Sequence, residues 1–449
     1  MKSGIDLLLR NDDPSPTAGK DFIADREYGA LSEAHDDTAR GRVTVVMRKP
    51  RNDALVDRLR EAIAGWWGLF VHRAVGLLRW AVFATTAADP ANIAVLCDAF
   101  LPFGSAQAMG LSQTGLNVTL YYVDRVDDFA GNEKDRALYL DRAQAAGVEL
   151  VPLPRRRIRS LFAHALWLHR DLRRRKIAIA VVQAHIDPRY ATLGLALPVA
   201  LVVHDPQVHS GDELSTFPLP VRLVSRIAEL TASCLIVHSA RLFDQFRPLL
   251  RRLPRGVVPH GAHMAPAPAP VPHERRLLVF GRLFEYKGVD TALEAFRCLS
   301  ENMPDASLIV AGRGPLASLA RGRRNVEVRE EYVAESDLDV MLGDARLVLL
   351  AYKDATQSGV GLQAVARGVP CVVSCAGALP ELVPDALPSL VVPPDNPKRL
   401  AEAIVAHIDH DESLRRTIYD HAATHFAWAV VAKRLRSELQ RLGLAVRVP

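Results

Sequence analysis

The stretch NIAVLCDAFLPFGSAQAMGLSQTGLNVTLYYVD, Asn92 to Asp124, decides the fold. Asn92 to Phe100 reads as an apolar strand. Gly104 to Gly115 has a helical pattern, with Gly115 suited to its C-terminal cap. Asn117 to Asp124 reads as the next strand. Apolar strands that alternate with helical patterns imply a parallel sheet covered on both faces. The alternation repeats along the chain. Further strands are expected at 148–153, 177–185, 198–205, 234–239 and 256–261. A second series is expected at Leu277–Phe280, Leu308–Ala311, Val326–Val328, Leu347–Leu350, Cys371–Ser374 and Ser389–Val392.

Between the two series lies APAPAPVPHE, residues 265–274, which can be neither helix nor central strand and reads as a stiff linker. The expected fold is therefore α/β, with two Rossmann-like doubly wound domains that face a cleft. The first domain spans 90–264 and the second 275–425, and a C-terminal helix over 426–449 crosses back. Pro397 after Asn396 predicts a helix to Asp409, and 412–443 is expected to be helical with Trp428 inside it. Ligands in such sheets bind beyond the carboxyl ends of the strands.

Residues 1–89 form an extension. Its first fifty or so residues are polar and poorly periodic, whereas 53–87 predicts an amphipathic helix. Asp57, Glu61, His72 and Arg79 fall on one side, and Trp66, Trp67, Phe70, Leu77 and Leu78 on the other. Its longest uncharged run, Ala62 to Val71, is too short to span a bilayer. A helix lying in a membrane interface fits the pattern. So does a helix packed on the protein's own core or on a dimer partner.

The chain has 449 residues and a formal net charge of +5. That mild surplus suits an anionic substrate or an acidic membrane face, and is weak evidence for nucleic acid. The five cysteines, Cys97, Cys234, Cys298, Cys371 and Cys375, show no zinc-like pairing and read as reduced residues of a cytosolic protein. The N-terminal apolar run is too short for a signal peptide.

Several short motifs carry chemistry. In FGRLFEYKG (Phe280–Gly288) a strand ends at Gly281, and the cations Arg282 and Lys287 follow before a helix begins, which suits a diphosphate. A turn with surface cations is the plain alternative. In IVAGRGPL (Ile309–Leu316), Gly312 and Gly314 would let a ligand approach the backbone. This is not the spaced triple glycine of nicotinamide enzymes. In YKDATQSGVGLQA (Tyr352–Ala364), Gln357, Ser358, Gly359 and Val360 open a helix whose first amides could hold phosphate oxygens. Equally, the loop could need glycine for packing. His204, at the end of a first-domain strand, would face the cleft with Asp205 and His209 nearby. A metal is disfavoured there because no third ligand is evident. Gly104 and His260 are further candidates for the cleft wall on the acceptor side. The basic runs Arg155–Arg159 and Arg170–Lys176 are solvated helix ends by default, or contacts to acidic lipid. No aromatic residues interleave with them as single-stranded nucleic acid would require.

Taken together these motifs resemble a GT-B glycosyltransferase, closest to the retaining glycosyltransferase family 4, over about residues 90–441. The resemblance is strongest in GRLFEYKG, AGRGP, SGVGLQAVARGVPCVVS and GALPELVP, and looser in HDP, IVHSARLFDQF and VVPHG. It implies a second domain that binds a nucleotide-diphosphate sugar and a first domain that binds the acceptor. Arg282 and Lys287 match the pair that neutralises the donor diphosphate, so neither metal nor cofactor is required. Gly359 matches the loop that holds the distal phosphate, and His204 matches a histidine near the reacting sugar. The family's two glutamates fall at Ala355 and Gln363. Gln363 could still bond a ribose hydroxyl, while Gln357 and Ser358 could take over polar contacts. Glu330 and Glu331 are possible sources of a carboxylate.

The expected activity is retaining transfer to a polyprenyl-diphosphate-linked saccharide or other glycolipid. The enzyme would sit at the cytoplasmic face of the membrane, held by 53–87 and Arg155–Lys176. A non-catalytic scaffold and a nucleotide-sugar epimerase are the alternatives.

Overall fold

The computed structural model describes residues 88–123, 132–153, 161–183, 187–205, 219–246, 253–444 and 446–447. The expected helix at 53–87, the run Arg155–Arg159 and His209 lie outside the described residues.

The first sheet contains β1 (Asp89–Cys97), β2 (Asn117–Val123), β3 (Glu149–Leu153), β4 (Ile177–Val182), β5 (Val199–Val203), β6 (Cys234–Val237) and β7 (Arg255–Val257). Their spatial order is β3-β2-β1-β4-β5-β6-β7, and every neighbouring pair is parallel. The apolar run in β1 has a physical reason. Ile93 and Val95 pack into one core, Ala94 and Leu96 into another on the opposite face, and all four are fully buried.

Among the described residues the connecting helices are α1 (Leu101–Gln113), α2 (Glu133–Ala145), α3 (Leu161–Arg174), the short α4 (Leu193–Ala196) and α5 (Leu219–Thr231). α1 starts three residues earlier than the sequence pattern predicts. Pro102 sits in its first turn, where a missing N–H costs nothing. Gly115, with φ of 89°, follows its end as expected.

The second sheet contains β8 (Arg276–Phe280), β9 (Ser307–Ala311), β10 (Val326–Arg329), β11 (Leu347–Leu350), β12 (Cys371–Ser374) and β13 (Val391–Val392). Its order is β10-β9-β8-β11-β12-β13, again all parallel. Pro388–Leu390 forms a 3₁₀ turn, so the last strand is shorter than the expected Ser389–Val392. The helices that follow are α6 (Val289–Ser300), α7 (Glu335–Gly343), α8 (Gly359–Val365), α9 (Pro397–His407), α10 (Glu412–His425) and α11 (Trp428–Arg441). Asn396 caps α9 by accepting the Arg399 N–H.

The tail is two helices rather than one. The chain turns at Phe426–Ala427, where the Ala262 amide donates to the Phe426 carbonyl at 2.7 Å and Ala262 bridges Ala427. From there α11 returns to the first domain. Its side chains Trp428, Val431, Leu435 and Leu439 are buried in that domain's core. The Pro/Ala segment is strapped to the second domain. Its Ala265 and Ala269 amides donate to the Ala366 and Arg367 carbonyls, and buried Arg415 donates to the Ala269 carbonyl.

Strand order reverses beside β1 and β4 in the first sheet, and beside β8 and β11 in the second. The carboxyl ends of these strands are where ligands of such sheets bind.

Candidate active site

A cavity of about 510 Å³ lies between the carboxyl ends of the two sheets. Phe100, Phe103, His260, His263 and Trp428 wall it from the first-domain side, and Arg282, Gly359, Val360 and Gln363 from the second. A larger space of about 910 Å³ adjoins it at His263 and is lined by charged side chains, among them Arg142, Glu335 and Arg367. Hydrogen bonds cross between the domains. Tyr139 donates to Glu335 at 3.0 Å, Tyr332 donates to Asp135 at 3.2 Å, Thr356 donates to Asp205, and Ser239 donates to Glu381.

Arg282 and Lys287 follow β8 directly. The Arg282 guanidinium donates to the Tyr286 hydroxyl at 3.1 Å and opens onto the cavity. Lys287 is half-buried and is not itself a wall of that cavity. Its ammonium donates to the Tyr352 hydroxyl at 2.6 Å and lies 4.0 Å from the centre of that ring. Burial, followed by the charge of Arg282, draws the Lys287 pKa down to about 7, against the opposing pull of Asp205. The Tyr352 hydroxyl also meets the Ser358 hydroxyl at 2.9 Å, and Ser358 accepts the Gly361 N–H at 3.1 Å. One chain of hydrogen bonds therefore ties the lysine to the loop that opens α8.

Two glycines in that loop serve different ends. A methyl at Gly361 would collide with Leu382 and press on Leu350, so packing requires glycine there. A methyl at Gly359 would meet nothing within 4 Å. Packing explains Gly361, and it does not explain Gly359. The turns after β8 and β9 are different again. A Cβ on Gly312 would strike the Gly281 carbonyl, one on Gly314 the Leu283 carbonyl, and one on Gly281 the Val360 side chain at 2.9 Å. In this structure it is the neighbouring chain that approaches these three glycines. Gly312 and Gly314 are not among the walls of the cavity.

Ser358 is buried, and its hydroxyl is committed to the α8 cap and Tyr352. Gln357 lies in the domain seam with His238, His260 and Glu381. Its amide oxygen is buried with no partner among the described residues. The Gln363 oxygen accepts from Arg367 at 2.7 Å, and Arg367 is held in turn by Asp339. Ala355 is buried in the second-domain core. Glu330 pairs with Arg321 on the surface, Glu331 is exposed, and neither lines the cavity.

In the first domain, His204, His238 and His260 cluster around Phe103, with ring centres 4.8, 5.5 and 4.4 Å from it. His204 and His238 are hydrogen bonded, Nδ1 to Nε2, at 3.2 Å. Burial pulls the pKa of His238 down to about 4, and burial with the nearby His238 pulls His260 to about 3. Both are neutral at ordinary pH. Gly104 does not reach the cleft wall. It lets α1 close on β1, because a Cβ there would sit 2.8 Å from the Cys97 sulfur. Phe100, Pro102 and Phe103 line the cavity in its place. Phe100 is half exposed and holds a left-handed backbone, with φ of 61°.

Sequence reading passed over Tyr352, His238, Phe100, Glu381 and Trp428. The strand-end rule could have flagged His238, which directly follows β6 as His204 follows β5. Nothing local distinguishes the others. In the basic run Arg170–Lys176, Arg175 is bound by Asp171 at 2.7 Å and by Glu149. Arg170 and Arg173 are exposed on α3 near the exposed Leu166 and Trp167. Among the described residues no helix is long and apolar enough to cross a membrane. Nor do three or more histidines, cysteines or carboxylates gather there to hold a metal ion.

Residues 274–410 match the family model described as Glycosyl transferases group 1. The chain is 28% identical over 297 residues to the alpha-D-kanosaminyltransferase of Streptomyces kanamyceticus, covering 58% of this chain and 75% of the relative. It is 26% identical over 179 residues to a GDP-mannose-dependent alpha-(1-6)-phosphatidylinositol dimannoside mannosyltransferase of Mycobacterium tuberculosis, covering 39% of this chain and 46% of the relative. Among solved structures it resembles Anabaena HepE in complex with UDP and glucose. That match has a TM-score of 0.57 at 15% identity and covers 78% of this chain and 99% of the other. At that identity the likeness shows the fold.

Proposed function

For a chain whose second domain is a group 1 glycosyltransferase domain on the GT-B fold, we propose transfer of a sugar, with retention, from a nucleotide-diphosphate donor to a membrane-linked saccharide or glycolipid. One observation carries the reading. A lysine drawn down to about 7 beside an arginine at the carboxyl end of β8 is an electrostatic expense that an anion would relieve. A diphosphate on Arg282 and Lys287 would restore the ammonium and bring both cations against the leaving group. The open space at Gly359 leaves backbone room for a phosphate oxygen. In this reading the two cations do the work a metal would do. The leaving phosphate takes the acceptor's proton, and His204 bonds a hydroxyl of the donor sugar. Gln363 faces the same cavity, and its amide nitrogen is suited to a ribose hydroxyl.

The membrane-linked acceptor draws support from α3, where Leu166 and Trp167 stand exposed among arginines. The named acceptor of the mycobacterial relative, a phosphatidylinositol dimannoside, is consistent with it. Flotation with phosphatidylglycerol vesicles tests this part. Native protein should float and a Trp167→Glu, Arg170→Glu variant should sink, while equal flotation rejects this face.

Calorimetry with UDP, GDP, UDP-glucose and GDP-mannose tests the donor site. At least one should bind, and Arg282→Ala should abolish that binding. Heat from none of them would refute the reading. A non-catalytic scaffold is the second reading, favoured by Ala355 being buried in the core where a sugar-binding carboxylate is expected. It predicts nucleotide binding without turnover.

A further inference from the structure

We propose that His238 is a positioning residue that sets which ring nitrogen of His204 carries the hydrogen. The inference rests on the reading above only for what His204 then does. Its geometric part stands alone.

The bonds form a directed chain. The His238 Nδ1 lies 3.0 Å from the Val258 carbonyl oxygen. A carbonyl only accepts, so that nitrogen must carry hydrogen. His238 is buried, with the rings of His204, His260 and Phe103 around it. Among the described residues no carboxylate is hydrogen bonded to it, and burial keeps it neutral. A neutral imidazole with hydrogen on Nδ1 has a lone pair on Nε2. The nitrogen facing that lone pair at 3.2 Å is Nδ1 of His204, which must therefore donate. In its neutral form His204 is thus held with hydrogen on Nδ1 and its Nε2 as an acceptor. The backbone keeps the chain in place. The Val258 amide donates to the Val237 carbonyl at 2.8 Å, and Ser239 bonds Glu381 of the second domain.

The consequence concerns charge. The His204 Nε2 is buried behind the cavity wall, and as an acceptor it would take a hydrogen bond from a sugar hydroxyl that reached it. The electron density it places there favours the positive charge that grows on the sugar ring as the glycosidic bond loosens. A histidine donating from Nε2, or carrying a proton on both nitrogens, would oppose that charge. His238 touches no substrate in this scheme and acts through His204.

The test uses ¹⁵N-histidine-labelled full-length protein. The His204 signals are assigned by their loss in His204→Gln. The ring-nitrogen spectrum should show His204 hydrogen on Nδ1 in native protein. In His238→Phe, which keeps an aromatic ring and removes both bonds, His204 should shift toward the Nε2–H form. His238→Gln offers an amide N–H to Val258 and a carbonyl to His204, and should restore the Nδ1–H form. Turnover of UDP-glucose or GDP-mannose, whichever is accepted, should follow the same order. We expect kcat about tenfold or more lower in His238→Phe with donor KM within about twofold, and largely recovered in His238→Gln. Hydrogen on Nε2 in native His204 overturns the proposal, and so does a Gln variant no better than Phe. If His238→Phe does not fold, the native spectrum and His238→Gln still decide it. Failure of every donor to turn over would sink the glycosyltransfer reading, while the spectrum decides the tautomer.

Discussion

Donor affinity should fall steeply as pH rises above neutrality, with Lys287 as the cause. In the free protein its pKa lies at about 7, pulled from an ordinary 10.5 by burial and by Arg282. A bound diphosphate supplies the missing anion, so the ammonium persists in the complex to its ordinary range. Binding then takes up a proton wherever free Lys287 is neutral, and the apparent affinity weakens as pH climbs from 7 toward 10.5. With those two limits the loss is about fivefold from pH 7 to 8 and about fiftyfold from pH 7 to 9. At pH 8 each binding event should take up about 0.9 proton. UDP-glucose or GDP-mannose is the right probe, because neither diphosphate has a terminal phosphate that titrates in this window. Calorimetry in two buffers of different ionisation enthalpy measures the proton uptake directly. Lys287→Arg keeps its charge throughout and should bind with a flat profile. The reasoning fails if native affinity changes less than about twofold between pH 7 and 9, or if Lys287→Arg shows the same slope.

Four further outcomes follow from the packing. Gly359→Ala should leave the melting temperature unchanged or slightly raised, since the added methyl meets nothing within 4 Å. It should weaken nucleotide binding at least tenfold, and unchanged binding would remove Gly359 from the donor site. Gly361→Ala should cost about 1–3 kcal/mol in urea unfolding through its clash with Leu382. Tyr352→Phe cuts the link from Lys287 to Ser358. It should raise donor KM with little loss of melting temperature, and a loss of stability with KM unchanged would make Tyr352 merely structural. Trp428→Ala removes the ring that packs on Gly261 and Phe103 where the chain crosses back. About 3–5 kcal/mol of stability should go with it, read by chemical denaturation.

The parallel repeat was legible because both faces of each sheet are covered, which forces strands such as β1 to be apolar at every position. The cations after β8 were legible because Gly281 marks the strand's end. What stayed hidden depends on distance in three dimensions. Nothing in VAGRG says that the next turn's backbone, rather than a ligand, fills the space beside Gly312. Tyr352 and Lys287 lie 65 positions apart, and only the β8–β11 pairing brings them within 2.6 Å. The polar substitutes proposed for the missing glutamates, Gln357 and Ser358, sit in different settings. Gln357 sits in the domain seam with its amide oxygen buried, whereas the Ser358 hydroxyl is used up in capping α8.

Three departures from ordinary folding rules lie at the carboxyl ends of the central strands. Phe100 carries a left-handed backbone and a half-exposed ring, Lys287 loses most of its ordinary basicity, and Gln357 keeps a buried oxygen without a partner among the described residues. Each costs about 1–3 kcal/mol or more, and each would be removed by a single common substitution. Other positions are conventional. Asn132, Asn396 and Asp411 cap their helices, and Asp171 ties Tyr121, Arg174 and Arg175 together. Phe100 lies at the carboxyl end of β1, Lys287 just beyond β8 and Gln357 just beyond β11, the ends where strand order reverses in each sheet. A scaffold that only bound a partner elsewhere would be stabilised by relaxing all three. A site that must pull an anionic leaving group from a sugar has a use for a starved cation and for neutral histidines, and no need of the two glutamates for that step.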